Sequence, residues 1–146
     1  MPETPTAPRP AITPYLSYAD APAAIEFLTT AFGFEEVFRF PMEDGRIGHA
    51  ELSFGGSLVM LASVYEELGF VSPQELAGIH TQVQVVVDDV DAHFERARDA
   101  GAVVTSEPED QFYGDRSYRA VDPEGHRWIF SQHIRDVPPE EWKLPE

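Results

Sequence analysis

The chain has 146 residues, 42% of them hydrophobic and 25% charged, which is the size and composition of one folded globular domain. It contains no cysteine, so disulfides, thiolate metal sites and cysteine nucleophiles are excluded. Its net charge of −16 would repel phosphate backbones and anionic lipid, so we expect neither nucleic acid nor membrane as a partner, whereas a cation would be attracted.

The N-terminal residues give information on the cellular location of the protein. Residues 1–11 are Pro-rich and polar, lack the apolar segment of a secretory signal, and are predicted to form a flexible arm. No apolar run approaches the roughly 20 residues of a membrane helix. Together with the absence of cysteine, this predicts a cytoplasmic protein.

Residues 12–63 predict a βαβββ module. A helix follows Asp20, a residue type that caps helix N-termini, and ends at Gly33. Runs that are aromatic, β-branched or alternating predict four strands, at 13–18, 34–40, 47–54 and 57–62.

Residues 80–133 predict a second module with the same order of elements. Its helix is capped by Asp88 or Asp89 and ends at Gly101. Four strands are predicted at 82–87, 102–105, 116–121 and 127–131, with a loop through Pro108. Residues 64–79 connect the modules, and residues 134–146 are predicted to be a loose tail in which Trp142 could dock.

An internal repeat supports this division. An offset of 69 residues relates turn and cap positions of the two halves: Tyr18 to Val87, Asp20 to Asp89, Gly45 to Gly114, and Gly56 to Gly125. The predicted fold is therefore α+β, with two tandem βαβββ modules forming curved mixed sheets around a cleft. A single module buries too little surface, so the modules pack within one chain or are exchanged between two chains.

Strand alternation separates an apolar, helix-facing side of each sheet from a mixed side. Trp128 is predicted on the helix-facing side, His126 is assigned a structural role, and His93 is predicted to be a solvated helix residue. The mixed side combines aromatic and polar groups, as ligand clefts do.

Four stretches carry a resemblance to a known family: ITPYLSYADAPAAIEFLTTAFGFEEVFRF, DGRIGHAELSFGGSLVML, VVVDDVDAHFERARDAGA and YGDRSYRAVDPEGHRWIF. In this order they resemble the vicinal-oxygen-chelate superfamily, and the last resembles its glyoxalase/bleomycin-resistance-like branch. The resemblance implies two sheets closing around a cleft and a homodimer.

The resemblance also locates the positions at which metal-using relatives carry His or Glu. Here these positions are Thr13, Met60, Gln82 and Ile129. Because none is a carboxylate or an imidazole, we predict no metal and no other cofactor. The alternative is an irregular site formed by His49, Glu51 and His80.

The predicted function is metal-free binding of a small aromatic or cationic molecule, as in bleomycin-type resistance proteins. The predicted ligand-binding residues are Tyr15, Phe38, Met60, Gln82, Gln84, Phe112, Tyr113, Arg116, Tyr118 and Arg127. His49 and Glu51 are candidates for an acid–base pair. The alternatives are a metal-dependent lyase, isomerase or dioxygenase, and a structural dimer whose cleft is closed by its own side chains.

Overall fold

One topology occurs twice in the computed structural model, which describes residues 10–143. The first module consists of β1 (Tyr15–Tyr18), α1 (Ala21–Ala31), β2 (Glu35–Pro41), β3 (Ile47–Phe54) and β4 (Ser57–Ser63). The second consists of β5 (Gln82–Val86), α2 (Val90–Asp99), β6 (Val103–Asp110), β7 (Asp115–Val121) and β8 (Arg127–His133). Most of the predicted arm and the last three residues of the predicted tail lie outside the described residues.

Each module forms a four-stranded mixed sheet. The strand orders are β1-β4-β3-β2 in sheet 1 and β5-β8-β7-β6 in sheet 2. The first pair in each sheet is parallel and the others are antiparallel. The predicted α+β fold with two βαβββ modules is confirmed.

The repeat holds at the level of single residues. Asp20 and Asp89 each accept a hydrogen bond from a backbone N–H three residues later, at 3.1 Å, as N-cap residues do. The N-cap residue of α2 is therefore Asp89 and not Asp88. Gly56 and Gly125 both adopt positive φ, at 86° and 100°, in the turns before β4 and β8.

The strand β6 is longer than the sequence predicts and contains Pro108, which we expected in a loop. The pairing with β7 is irregular between Ser106 and Glu109, so Pro108 falls within the irregularity. Because β6 lies at the edge of sheet 2, the missing N–H of Pro108 costs no ladder hydrogen bond on its outer side.

A single core lies between the helix-facing sides of the two sheets. Phe32, which follows α1, is fully buried, and its ring centroid lies 5.5 Å from that of Trp128 and 4.7 Å from that of Phe130. Trp128 and Phe130 belong to the second module, so one aromatic cluster joins both modules. The placement of Trp128 on the helix-facing side agrees with the prediction.

The turn between β7 and β8 ties the two modules through Asp122. This residue is 3% exposed, and its carboxylate accepts hydrogen bonds from the hydroxyl of Tyr18 at 2.6 Å and Nε1 of Trp128 at 3.1 Å. Burial and the Asp122 charge raise the pKa of Tyr18 well above its ordinary value. The phenol therefore stays protonated and keeps donating to Asp122.

Glu124 extends the same tie to the connector. Its buried carboxylate accepts from the backbone N–H groups of Ala19 at 2.6 Å and Asp20 at 2.8 Å. It also accepts from the hydroxyl of Ser72 at 2.6 Å. Since β1, the connector and the β7–β8 turn meet at one carboxylate, the described modules pack against each other within one chain.

The histidine predicted to be solvated, His93, is mostly buried between the modules. Its Nε2 lies 2.8 Å from the carbonyl oxygen of Phe32, and its Nδ1 lies 2.6 Å from the hydroxyl of Tyr118. A carbonyl only accepts, so Nε2 carries the proton and Nδ1 accepts from Tyr118. The prediction was wrong because helical periodicity does not reveal that α1 packs against α2.

We expect the free energy of unfolding to decrease as the pH is lowered, because of His93. Burial lowers the pKa of His93; its hydrogen bond to Phe32 partly offsets this, and the charge of Arg96 lowers the pKa further. The unfolded chain therefore takes up the proton first, so this contribution is complete above the ordinary histidine value of about 6.5 and is lost as pH falls below it. Urea unfolding between pH 8 and 5 should show a smaller decline for His93→Gln than for the wild type.

The exposed His133 is the comparison for this prediction, because its contribution to stability changes with pH in the opposite direction. Hydrogen bonds to Asp136 and Asp115 raise the pKa of His133. Its contribution is therefore present at low pH and is lost as pH rises through the raised value. A decline that is the same in His93→Gln and wild type would contradict the role of His93.

The part of the tail that the structure describes is docked. Nε1 of Trp142 donates to the carbonyl of Val137 at 2.9 Å, and its ring lies about 6 Å from those of Phe112 and Tyr113. Of the helices in residues 10–143, none is long and apolar enough to cross a bilayer.

Candidate functional site

The side of sheet 1 away from α1, here called the open face of sheet 1, is aromatic and contains one buried carboxylate. The pairing register places Met60 opposite both Tyr15 and Glu51. The same register places Phe38 opposite Glu51 and Phe40 opposite His49. These residues therefore share the open face, which follows from the alternation recognised in the sequence.

A hydrogen-bonded chain crosses this face. The hydroxyl of Tyr15 lies 2.7 Å from Nδ1 of His49, and Nε2 of His49 lies 3.0 Å from Oε2 of Glu51. The Glu51 carboxylate accepts, so in neutral His49 the proton is on Nε2 and Nδ1 accepts from Tyr15. Glu51 is 4% exposed, whereas Tyr15 is 53% exposed, so the chain runs from a buried charge to a surface phenol.

The hydrogen-bonded chain favours the neutral form of the Tyr15 phenol at the surface. Burial is the main cause that raises the pKa of Tyr15, and the charge of Glu51 raises it further. Tyr15 therefore keeps its proton on the His49 side and presents oxygen lone pairs to a ligand. The ring centroids of Tyr15 and Phe38 lie 5.4 and 6.3 Å from that of His49, so aromatic rings surround the chain.

The side of sheet 2 away from α2, the open face of sheet 2, is polar. Nε2 of Gln84 donates to the hydroxyl of Ser131 at 2.9 Å, and Nη1 of Arg119 donates to Oε1 of Gln82 at 3.0 Å. Arg127 lies opposite Gln82 on the same face. Arg119 was not predicted, because the residues of the opposite parity in β7, Arg116 and Tyr118, were predicted to bind the ligand.

Two predicted ligand-binding residues lie on the other side of sheet 2. Tyr118 is fully buried opposite Phe130, and burial raises its pKa. Arg116 shares that side and pairs with Asp91 of α2 at 3.0 Å. We correct both placements, because alternate residues of β7 face α2 and the sequence does not reveal where the alternation begins.

Phe112 and Tyr113 lie in the turn between β6 and β7. Their ring centroids are 5.2 Å apart, and Trp142 covers both rings. The structure thus places them on neither open face.

The four positions that resemble metal-ligand positions do not gather metal-binding groups. Thr13 precedes β1, Met60 lies beside Glu51, Gln82 bonds to Arg119, and Ile129 lies opposite Gln84. Within residues 10–143, no group of three or more His, Cys, Asp or Glu side chains could hold a metal ion. His80, the third member of the alternative irregular site, lies before β5 and hydrogen-bonds Thr81 at 2.6 Å.

Two of the grooves between the described modules lie near the candidate site. The turn groove, of about 360 Å³, lies between the β3–β4 turn and β5, and its lining includes Phe54, Gly55, Leu58, Val83, Val85 and Val86. The connector groove, of about 270 Å³, lies beside β1, and its lining includes Tyr15, Phe70, Leu76, Ile79, His80 and Arg127. Tyr15 thus belongs to both the connector groove and the hydrogen-bonded chain.

Comparison with known proteins identifies the family. Residues 12–130 match a model of the Glyoxalase/Bleomycin resistance protein/Dioxygenase superfamily. An uncharacterized protein of Mycobacterium bovis and one of Mycobacterium tuberculosis are each 40% identical over 131 residues, covering 88% of this chain and 86% and 77% of theirs.

Solved structures agree in fold. The crystal structure of TioX from Micromonospora sp. ML1 is similar with a TM-score of 0.67 and 38% identity, covering 86% of this chain and 100% of that chain. A glyoxalase/bleomycin resistance protein/dioxygenase from Nocardioides has a TM-score of 0.68 and 24% identity, covering 96% and 93%. The chain is therefore a member of the glyoxalase/bleomycin resistance protein/dioxygenase superfamily.

Proposed function

We propose that the protein binds a small aromatic or cationic organic molecule on the open face of sheet 1, without a metal ion. The observation that carries this proposal is the hydrogen-bonded chain of Tyr15, His49 and Glu51 among aromatic rings. A sequestering function, such as resistance to an antibiotic, follows from the resemblance to bleomycin-type resistance proteins.

The contacts on this face suit a flat cation. The Tyr15 and Phe40 side chains are more than half exposed and offer ring faces, over which a cation is stabilised by about 0.5–2 kcal/mol. Glu51 supplies a negative charge beneath the rings, and the −16 net charge raises the local cation concentration. Met60 and Phe38 add apolar contact area.

The remaining predicted residues take part in this proposal as follows. Gln82, Gln84 and Arg127 would orient the ligand from the open face of sheet 2, whereas Phe112 and Tyr113 stay predictions from the sequence. By resemblance, two copies would form a homodimer with ligand clefts at the interface, in the cytoplasm.

A second candidate is a lyase, isomerase or dioxygenase of the same superfamily. The observation in its favour is the 3.0 Å contact between Nε2 of His49 and Oε2 of Glu51, which suits an acid–base pair. Stoichiometric metal in the purified protein, with thermal stabilisation by Zn²⁺, Ni²⁺, Mn²⁺ or Fe²⁺, would favour this candidate over sequestration.

Titration with acriflavine, a planar cation, tests the binding proposal. We expect Tyr15→Ala to weaken binding about tenfold, because it removes a ring face and an oxygen acceptor. Tyr15→Phe, which keeps the ring, should weaken binding less. Raising NaCl from 50 to 500 mM should also weaken binding by screening the acidic surface.

The control variant is Tyr65→Ala, because Tyr65 is an exposed tyrosine of the connector, belongs to neither sheet and does not line the connector groove. Its acriflavine affinity should match that of the wild type. Affinity that is insensitive both to salt and to Tyr15→Ala would exclude the open face of sheet 1 as the cation site.

A further inference from the structure

Within residues 10–143, two strand arginines have no carboxylate partner, although the chain has 26 acidic and 10 basic residues. Of the four arginines in the strands, Arg39 and Arg116 form ion pairs with carboxylates. Arg119 bonds to the neutral amide of Gln82, and the guanidinium of Arg127 makes no hydrogen bond or ion pair within residues 10–143. Both lie on the open face of sheet 2.

The register brings these two arginines together. Arg127 of β8 lies opposite Val121 of β7, and Arg119 lies opposite Ile129, so the two arginines are diagonal neighbours on one face. Gln82 lies next to Arg127 and holds the guanidinium of Arg119 through a 3.0 Å hydrogen bond. Two like charges in this arrangement repel each other, and an anion between them relieves that repulsion.

His80 adds a third hydrogen-bond donor. Its Nδ1 lies 2.6 Å from the Thr81 hydroxyl. When this nitrogen accepts from Thr81, Nε2 carries the proton of the neutral ring and can donate to a ligand. A cavity of about 360 Å³ is lined by Ile79, His80, Thr81, Gln82 and Arg127.

This polar cavity adjoins the apolar connector groove. The two share Ile79, His80, Thr81 and Arg127, and the connector groove adds Phe70 and Leu76 from residues 64–79. Neither lining contains an aspartate or a glutamate, although acidic residues dominate the chain. The combined cavity thus has a cationic end and an apolar end.

We propose that this cavity binds an amphiphilic organic acid. Its carboxylate or phosphate head group lies against Arg127 and His80, and its apolar body lies along Phe70 and Leu76. Arg119, which hydrogen-bonds Gln82 of the same lining, adds positive charge beside the head group. Guanidinium groups match both head groups through paired N–H donors. This inference goes beyond the proposed function and does not depend on it, because the ligand has the opposite charge and its head group is not held by Tyr15, His49 or Glu51.

Calorimetric titration with naphthalene-2-carboxylate, 2-naphthyl phosphate and neutral naphthalene-2-carboxamide tests the proposal. At least one of the two anions should bind about tenfold or more tightly than the carboxamide, and the stronger of the two identifies the preferred head group. Arg127→Gln and Arg119→Gln should each weaken the binding of that anion about tenfold and leave the carboxamide unchanged.

Arg135→Gln is the matched control, because within the described part of the chain Arg135 lies after β8, hydrogen-bonds no residue of either lining and forms no ion pair. Its affinity for the anions should equal that of the wild type, and thermal unfolding should confirm that all three variants are folded. Equal binding of the acids and the carboxamide, or unchanged affinity in both Arg119→Gln and Arg127→Gln, would overturn the proposal.

The outcome is separable from that of the cation site. Acriflavine binding should be unaffected by Arg119→Gln, because Arg119 has no role in the proposed cation site. Acriflavine binding that is insensitive to Tyr15→Ala and to salt, together with anion binding that depends on the arginines, would support this inference alone. If neither arginine matters while acriflavine still depends on Tyr15, the anion site is absent and the cation site stands.

Discussion

Replacement of Asp122 by alanine is expected to lower the free energy of unfolding by about 4 kcal/mol. The buried carboxylate accepts from the Tyr18 hydroxyl, from Nε1 of Trp128 and from the backbone N–H groups of Glu124 and His126. Removal of the carboxylate leaves these donors without their acceptor in a region from which water is largely excluded. Urea unfolding followed by tryptophan fluorescence measures the change.

The control is Asp88→Ala, which removes an exposed carboxylate near the start of α2. We expect a change within about 0.5 kcal/mol, as for surface substitutions in general. Asp122→Asn should lie between the two, because an amide keeps the shape of the carboxylate but has one acceptor oxygen. A loss below about 1 kcal/mol for Asp122→Ala would mean that water replaces the missing acceptor.

Replacement of Phe32 by alanine is expected to cost about 3–5 kcal/mol, the range for large-to-small changes of a buried phenylalanine. Its ring is fully buried against Phe27 of the first module and against Trp128 and Phe130 of the second. The cavity would open between the modules, where the Phe32 ring contacts both Trp128 and Phe130. The measurement is again urea unfolding.

Phe40→Ala is the comparison, because it makes the same change of side chain at an exposed position. Phe40 is 55% exposed on the open face of sheet 1, so its truncation should cost less than about 1 kcal/mol. Equal losses in the two variants would show that the ring of Phe32 does not join the modules energetically.

Much of the fold was predictable because local chemistry sets it. The two N-cap aspartates, Asp20 and Asp89, and the turn glycines, Gly56 and Gly125, act through their own backbone neighbours. Features that depend on packing between modules were not predictable. The burial of His93 is one example, because it follows from the position of α1 relative to α2.

The candidate site was predictable only in part. Alternation placed His49 and Glu51 on one face, but their contact with Tyr15 crosses β4, so it depends on how three strands align. The errors at Tyr118 and Arg116 have a different origin. The irregular β6–β7 pairing hides the start of the alternation in β7, and an error of one residue moves a side chain to the other face.

The buried carboxylates that join the two modules come from one module only. The β7–β8 turn provides Asp122 and Glu124 to the end of β1, but the corresponding turn of the first module consists of Gly55 and Gly56, which have no side chains to offer β5. At that end the turn groove opens beside Val86. The two modules are therefore not joined symmetrically. If they separate, we expect them to rotate about the β7–β8 turn, where Asp122 and Glu124 hold them together, and to move apart most at the β3–β4 turn with Gly55 and Gly56.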